Sequence, residues 1–306
     1  MKILMIGNFW KGWDNSICDE KHISDALKDL GHEVFEWQRE KLDTAGFPNE
    51  KIDLILIAQW SGYPEHICRN LKENHNIPVI YWAFDYHGLE ASTWHFEMAK
   101  EADLFLSKEM CNRSFYESIG CKFRWLPQQF GPEFLYKIDK EIDKEYDVLF
   151  TGSYLPQAEF RNKCLKAVDE KFGLHIFTVT PDGFKDFKNV HSAIIDKDLP
   201  ELYAKARVNL SIDWKVEAEG YWSDRNAQIM CCGAKPLFKY IPMSEVSFKD
   251  KVDYFYNIDD CLGKIKNRLE IGYDDEEIDD MYSYAQNNLK TINTVNDLLL
   301  IMGDIL

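Results

Sequence analysis

The tightest constraint on the fold is a rhythm of short, wholly apolar runs. "IDLILIA" (52–58), "PVIYWAF" (78–84) and "ADLFLS" (102–107) have the length of strands, and helical segments such as Pro64 to Glu73 and Lys108 to Ile119 separate them. Strands apolar on both faces, alternating with helices, belong to a parallel sheet covered on both sides. The rhythm opens with "KILMI" (2–6), a Gly-Asn loop and a stretch in which Ile17, His22, Ile23, Ala26, Leu27 and Leu30 recur at helical spacing before Gly31. "EVFEW" and "FRWLP" extend it. After the charged stretch "YKIDKEIDKEYD" (136–147), which reads as a linker or a solvated helix, the same grammar restarts. "DVLFTGS", "LHIFTV", "RVNLSI", "KPLF" and "VDYFYN" supply strands, and the chain reads as helical from Asp259 onward. The expected fold class is α/β: two doubly wound domains, 1–140 and 141–306, facing across a cleft, with helices at the C-terminal end. Ligands of such sheets gather at the C-terminal ends of the strands.

Composition agrees with two domains and excludes several function classes. A chain of 306 residues, 45% hydrophobic and 14% aromatic, builds packed cores without staples. Its formal charge of -16 repels phosphate polymers and anionic lipid surfaces, so a nucleic-acid partner is disfavoured unless a local basic groove exists. The eight cysteines show no C-x-x-C spacing and the start "MKILMIGNFW" lacks a leader pattern, which points to reduced thiols and a cytoplasmic protein. No apolar run approaches the roughly 18 residues of a membrane span.

The first strand-helix loop, "GNFWKGWDNS", lacks G-x-G-x-x-G, and the chain has no G-x-x-x-x-G-K-[ST]. Nicotinamide, flavin and P-loop chemistry are therefore unsupported. In that loop Asn8, Trp10 and Trp13 suit contact with a polar ligand and stacking on a sugar ring; a tight turn with packed tryptophans explains them equally well. In the second half, Gly152 and Ser153 end a strand and allow backbone approach to phosphate or ribose. Arg161 follows, as a further donor contact or as a solvated helix residue. The stretch "YWSDRNAQIMCCGAKPLFKY" opens a short helix with Ser223, Asp224 and Arg225. Free N–H groups and an arginine fork there suit the diphosphate of a nucleotide sugar, and Gln228, one turn on, suits its ribose. Alternatively Ser223 or Asp224 caps the helix and Arg225 pairs with Glu217 or Glu219. Asp196 and Asp198 form a D-x-D, read more readily as a helix cap than as a metal site. The acidic run "DDEEIDD" reads as a helix start, and neither zinc-hydrolase nor G-x-S-x-G spacing occurs.

The segments "PVIYWAFDYH", "ADLFLSKEMCNRSFYESIGCKFRWLPQQFGPEF", "YDVLFTGSYLPQAEFRNKCL" and "SDRNAQIMCCGAKPLF" with "VDYFYNIDDCLGKIKNRL" occur in an order and spacing that resembles the GT-B glycosyltransferases, in particular their spore-maturation-type (CgeB-like), family-4-like branch. The resemblance spans Pro78 to about Leu269. It implies two Rossmann-like domains: residues 1–140 on the acceptor side, and 141–306 holding a nucleotide diphosphate sugar. Arg225 and Gly233 match a pattern like R-x-[FY]-E-x-x-x-x-G, from which the chain departs at Asn226-Ala227 and at Gln228, where a glutamate is usual. Asp85 matches the first acid of a W-x-x-D-D element whose second acid is here Tyr86.

The expected activity is transfer of a sugar from a nucleotide diphosphate donor to a hydroxyl acceptor, with no tightly bound cofactor and no required metal. Gly152, Ser153, Arg161, Ser223, Arg225 and Gln228 form the expected donor contacts. Asp85, expected to be desolvated at the end of its strand, is the expected catalytic base, with His87 in reserve; a helix cap or a loop carboxylate bonded to backbone N–H groups explains Asp85 as well. A non-catalytic protein that binds nucleotide sugars or glycans, with a degenerate site at Gln228, is the alternative; an epimerase of the same shape is a weaker third.

Overall fold

The structure, a computed structural model, describes residues 1–10, 16–42, 47–58, 63–64, 66–85, 93–127 and 129–303. The chain divides into two compact units: Met1–Gln128 with Glu219–Tyr221 and Thr291–Leu306, and Gln129–Ala218 with Trp222–Lys290.

In the first unit β1 (Lys2–Gly7), β2 (Glu33–Gln38), β3 (Leu54–Ala58), β4 (Val79–Ala83), β5 (Leu104–Ser107) and β6 (Phe123–Trp125) form one sheet in the order β2-β1-β3-β4-β5-β6, every pairing parallel. Every residue of β3, β4 and β5 is buried, which is why these runs lack polar alternation, whereas the edge strand β2 is partly exposed. Helices α1 (Asp19–Asp29), α2 (Ile67–His75), α3 (Thr93–Glu101) and α4 (Arg113–Ser118) connect the strands. Helix α1 buries Ile23, Ala26 and Leu27, the i, i+3, i+4 stripe of its sequence, and carries Asp19 and Glu20 in its first turn and Lys28 in its last, matching the helix dipole. It packs against α11 (Thr291–Gly303), so the terminal helix joins this unit.

A buried polar chain ties α3 and α4 to the sheet. The Tyr81 hydroxyl lies 2.7 Å from His95 Nδ1, His95 Nε2 lies 3.1 Å from the Tyr116 hydroxyl, and that hydroxyl donates to Glu109 at 3.3 Å. With Tyr116 donating to Glu109, His95 donates from Nε2 and accepts from Tyr81 at Nδ1, so one neutral tautomer satisfies every partner.

The second unit repeats the plan. Strands β7 (Tyr146–Thr151), β8 (Leu174–Thr178), β9 (Asn189–Ser192), β10 (Ala206–Ser211), β11 (Pro236–Lys239) and β12 (Asp253–Phe255) pair in parallel in the order β12-β11-β10-β7-β8-β9. Helices α5 (Glu159–Phe172), α6 (Leu199–Ala204), α7 (Arg225–Cys231), α8 (Ser244–Phe248), α9 (Ile258–Ile271) and α10 (Asp275–Asn288) complete it. Phe150, Val148, Leu210, Ile176, Leu165 and Leu237 are among the residues of its core. Residues 136–145 form neither helix nor strand, so the solvated-helix reading fails, and they lie within the second unit. The run "DDEEIDD" opens α10, with the Asp274 side chain accepting from the Glu276 N–H at 2.8 Å. Asp196 and Asp198 do not cap: they form a 3-10 turn, Asp196 has φ +52°, and Asp198, at the N-cap of α6, makes no capping bond with its side chain.

Candidate functional site

In a doubly wound sheet the ligand crevice opens where neighbouring strands send their connections in opposite directions. In the second unit β7 leads to β8 on one side while β10 lies on the other, so the crevice falls beyond Thr151 and Ser211. There the sequence-predicted residues meet. Gly152 has φ +149°, a conformation that favours glycine, and a Cβ at this position would lie 2.9 Å from Arg225 Nη2 and 3.2 Å from the Phe150 ring. The missing side chain lets the Arg225 guanidinium lie over the end of β7.

Arg225 is pinned there from three sides. Its Nη1 donates to the Ile212 carbonyl at 3.3 Å and lies 3.5 Å from Asp213 Oδ1, and its guanidinium carbon sits 5.1 Å from the centre of the Phe150 ring. The Arg161 guanidinium sits 5.8 Å from the same ring and donates from Nη2 to the Ser153 carbonyl at 2.8 Å. Arg161 is buried, so the solvated reading of it is wrong; it fixes the turn after Gly152. Two guanidinium groups against one aromatic ring make a locally positive spot in a protein of charge -16.

Ser223 and Asp224 do not cap α7 either. Asp224 occupies the N-cap position without a capping bond, and the Ser223 hydroxyl donates instead to Asp213 Oδ1 at 2.5 Å. The ion-pair partner of Arg225 is Asp213, which the sequence reading did not single out, in place of Glu217 or Glu219. Gln228 lies one turn into α7 and its amide donates to the Asp224 carboxylate. The helix is seven residues long, so its dipole is modest and Arg225 is the chief source of positive charge. Its C-terminus is a Schellman turn: Gly233, at φ +73°, donates to Met230 O at 3.0 Å and Ala234 donates to Ile229 O at 3.1 Å.

The same unit holds a cavity of about 710 Å³ at the opposite edge of the sheet, beside residues 137–144, lined in part by Asn209, Lys235, Arg268 and Tyr273. Its buried Lys235, however, is held by Asp253 and Glu277 and its partly buried Arg268 by Asp253, and it opens at the strand N-termini. The crevice at Gly152 is the better candidate.

In the first unit the corresponding crevice lies beyond β1 and β3. A carboxylate that the sequence reading passed over occupies it. Glu20 is buried, its Oε1 accepts the Asn8 backbone N–H at 3.2 Å, and its Cγ would lie 2.7 Å from a Cβ on Gly7. Burial pushes the Glu20 carboxyl up to about 7; the charge of Asp85 adds to the rise, while backbone N–H groups and Arg39 oppose it. The sequence signal was a glycine ending the strand followed by an acid in the first helical turn, masked because acids suit that turn for dipole reasons alone.

Asp85 follows β4 and is half exposed, with Lys108 Nζ 3.9 Å from its Oδ1, so the dry environment expected for it is absent. Asn8 accepts from Gln38 at 2.9 Å and donates to Cys18 Sγ at 3.1 Å, which commits its side chain to the loop, whereas Trp10 is 53% exposed. Trp13 and His87 lie outside the described residues. Among the described residues no group of three His, Cys, Asp or Glu side chains is placed to hold a metal ion, and no helix is long and apolar enough to cross a membrane.

No family model matches the chain, and no curated protein matches it by sequence. Solved structures do match, at the level of fold. An alpha-glucosyltransferase in complex with UDP and a 13-mer DNA aligns with a TM-score of 0.68 at 13% identity over 99% of each chain. Anabaena HepE in complex with UDP-glucose gives 0.68 at 12% identity, over 99% of this chain and 100% of that one. A point mutant of T4 phage BGT in complex with UDP-glucose gives 0.65 at 16% identity, over 100% of this chain and 99% of that one. The architecture is thus that of the GT-B glycosyltransferases, two six-stranded parallel sheets flanked by helices.

Proposed function

We propose that this protein is a glycosyltransferase that moves a sugar from a nucleotide diphosphate donor, of which UDP-glucose is the first to test, to a hydroxyl acceptor. The observation that carries the reading is the Arg225 guanidinium held over side-chain-free Gly152 at the β7/β10 crevice, on a fold shared with enzymes solved with UDP or UDP-glucose. In this reading Arg225 grips the diphosphate with a planar fork and neutralises the negative charge that develops as the bond to the sugar breaks. Gly152 and Ser153 offer backbone, and Arg161 keeps their turn in place through the Ser153 carbonyl. Ser223 acts through Asp213, which it helps to hold. A resident metal is not needed for this role if Arg225 supplies the charge.

On the acceptor side the proton of the incoming hydroxyl is assigned to Asp85 or His87, and Glu20 joins them as a third candidate because its position and its proton affinity both suit the task. Trp10 and Trp13 are assigned to the acceptor. The motifs quoted from Pro78 onward support placing the chain in the spore-maturation-type branch. Eight cysteines without C-x-x-C spacing suit a reducing, cytoplasmic setting. The acceptor is a small hydroxyl compound rather than nucleic acid, in keeping with the charge of -16.

Calorimetric titration of wild type and Arg225→Ala with UDP and UDP-glucose, followed by release of labelled glucose to water or acceptor, tests the proposal. We expect wild-type binding, at least tenfold weaker binding in the variant, the loss of a charged hydrogen-bonded pair being about 1.5–3 kcal/mol, and turnover. Binding without turnover on any acceptor would favour the binding-protein alternative, and an unchanged affinity would remove Arg225 from the donor site.

A further inference from the structure

The donor pattern usually carries a carboxylate one turn after its arginine, and this chain has Gln228 there, its amide already bonded to Asp224. A carboxylate nevertheless stands beside Arg225, contributed by the strand instead of the helix. Asp213, two residues beyond β10 at the crevice, is 2% exposed. Its Oδ1 takes the Ser223 hydroxyl at 2.5 Å and faces Arg225 Nη1 at 3.5 Å, while its Oδ2 is buried with no hydrogen-bond partner. Nearby in the chain, the Ser211 hydroxyl at the end of β10 and the Asn226 side-chain amide in the first turn of α7 are likewise buried and unpartnered.

Buried polar atoms are nearly always paired, and an orphaned carboxylate oxygen is among the most costly exceptions. An ionised carboxylate only accepts hydrogen bonds, and it repels phosphate. Of the groups in a nucleotide sugar, those that can satisfy it beside a diphosphate are hydroxyls, on the ribose or on the transferred sugar.

We propose, resting on the donor reading above, that Asp213 is the specificity-determining acceptor for a hydroxyl of the nucleotide sugar, standing in for the carboxylate absent at Gln228. Binding is then an exchange: the diphosphate draws the Arg225 fork toward itself, and the carboxylate that shares that fork gains a hydroxyl. Ser223 keeps the carboxylate in place while this happens.

The test titrates the full-length chain, wild type and Asp213→Asn, with the tightest-binding of UDP, GDP and ADP, with its 2′,3′-dideoxy analogue, with its glucose conjugate and with inorganic pyrophosphate. Asparagine keeps the size and the contact to Ser223 but weakens the acceptor. If the hydroxyl is the ribose's, the variant loses about tenfold or more in affinity for the nucleoside diphosphate and much less for the dideoxy analogue. If it belongs to the sugar, the loss falls on the glucose conjugate alone. Equal changes for all four ligands, pyrophosphate included, would overturn the proposal while leaving the donor site standing. A wild type that binds no nucleoside diphosphate overturns the donor reading itself, and this inference with it. Should Asp213→Asn not fold, Ser223→Ala carries the test: it keeps the carboxylate and removes one of its holders, and the wild-type preference for the ligand that bears the hydroxyl must shrink, whether for the nucleoside diphosphate over its dideoxy analogue or for the glucose conjugate over the nucleoside diphosphate. An unchanged preference counts against Asp213.

Discussion

Two carboxylates near the end of the first sheet differ by burial, and that difference separates their consequences. Glu20 is buried with its carboxyl raised from 4.5 to about 7, whereas Asp85 is half exposed beside Lys108. Because the folded state holds the Glu20 proton more tightly than the unfolded chain, keeping it ionised costs stability; the cost is complete above about pH 7 and absent below about pH 4.5. A shift of that size corresponds to a cost on the order of 3 kcal/mol. Glu20→Gln should therefore be more stable than wild type in urea titrations at pH 8, with the gain fading toward zero as the pH falls to about 4.5. Asp85→Asn should move stability by no more than about 0.5 kcal/mol, as exposed substitutions do. Turnover then assigns the base: roughly a hundredfold loss is expected of whichever variant has lost it, and a few-fold change acquits the residue. Asp85 was legible because it ends an unmistakable strand, and Glu20 was not, since acids at a helix start have an ordinary explanation. Asp213 escaped notice for another reason. Its importance lies in pairing across sequence with Ser223 and Arg225, which no local pattern reports.

At the level of elements, fully buried strands such as β3, β4 and β5 were readable to within a residue or two. Their hydrophobicity is set by being covered on both faces. The short edge strand β9 and the five-residue helix α8 carried no period to read, because tertiary packing and not local pattern holds them. Helix α7 shows what seven residues need. Too short to stand on its own hydrogen bonds, it relies on a buried face of Ala227, Ile229, Met230 and Cys231 and on the Schellman turn at Gly233. At φ +73°, Gly233 has a backbone that side chains rarely adopt, and a Cβ would lie 2.5 Å from Lys137 Cγ. Gly233→Ala should cost about 1–2 kcal/mol from the left-handed conformation alone. The urea midpoint should fall with the m-value unchanged, and donor affinity should drop with it, since α7 carries Arg225 at its start. A variant as stable as wild type would show that the turn is not what ends the helix.

For the molecule as a whole, the question is what kind of acceptor an acidic GT-B protein can meet. One protein of similar fold has been solved with a 13-mer DNA, so fold alone permits a duplex. Charge argues otherwise here. The chain has 36 lysines and arginines against 52 acids, and many of the cations are already engaged: Lys28 with Glu36, Lys72 with Asp103, Lys205 with Glu145 and Glu201, Lys251 with Asp280. Duplex binding requires cations free to displace condensed counterions, and each phosphate contact contributes close to one unit to the salt dependence of the affinity. A cation in an ion pair has to leave its acid first, in a surrounding field that already repels the polymer. The expected outcome in fluorescence anisotropy with a labelled 13-mer duplex at about 50 mM salt is no binding at low micromolar protein, where a nucleotide diphosphate, which the proposed donor reading confines to the crevice at Gly152 and Arg225, still binds. Tight duplex binding that weakens steeply with salt would place a basic groove on this surface and make nucleic acid the acceptor to pursue; saturable binding of nucleotide alone leaves the small hydroxyl compound as the partner that the charge of the molecule admits.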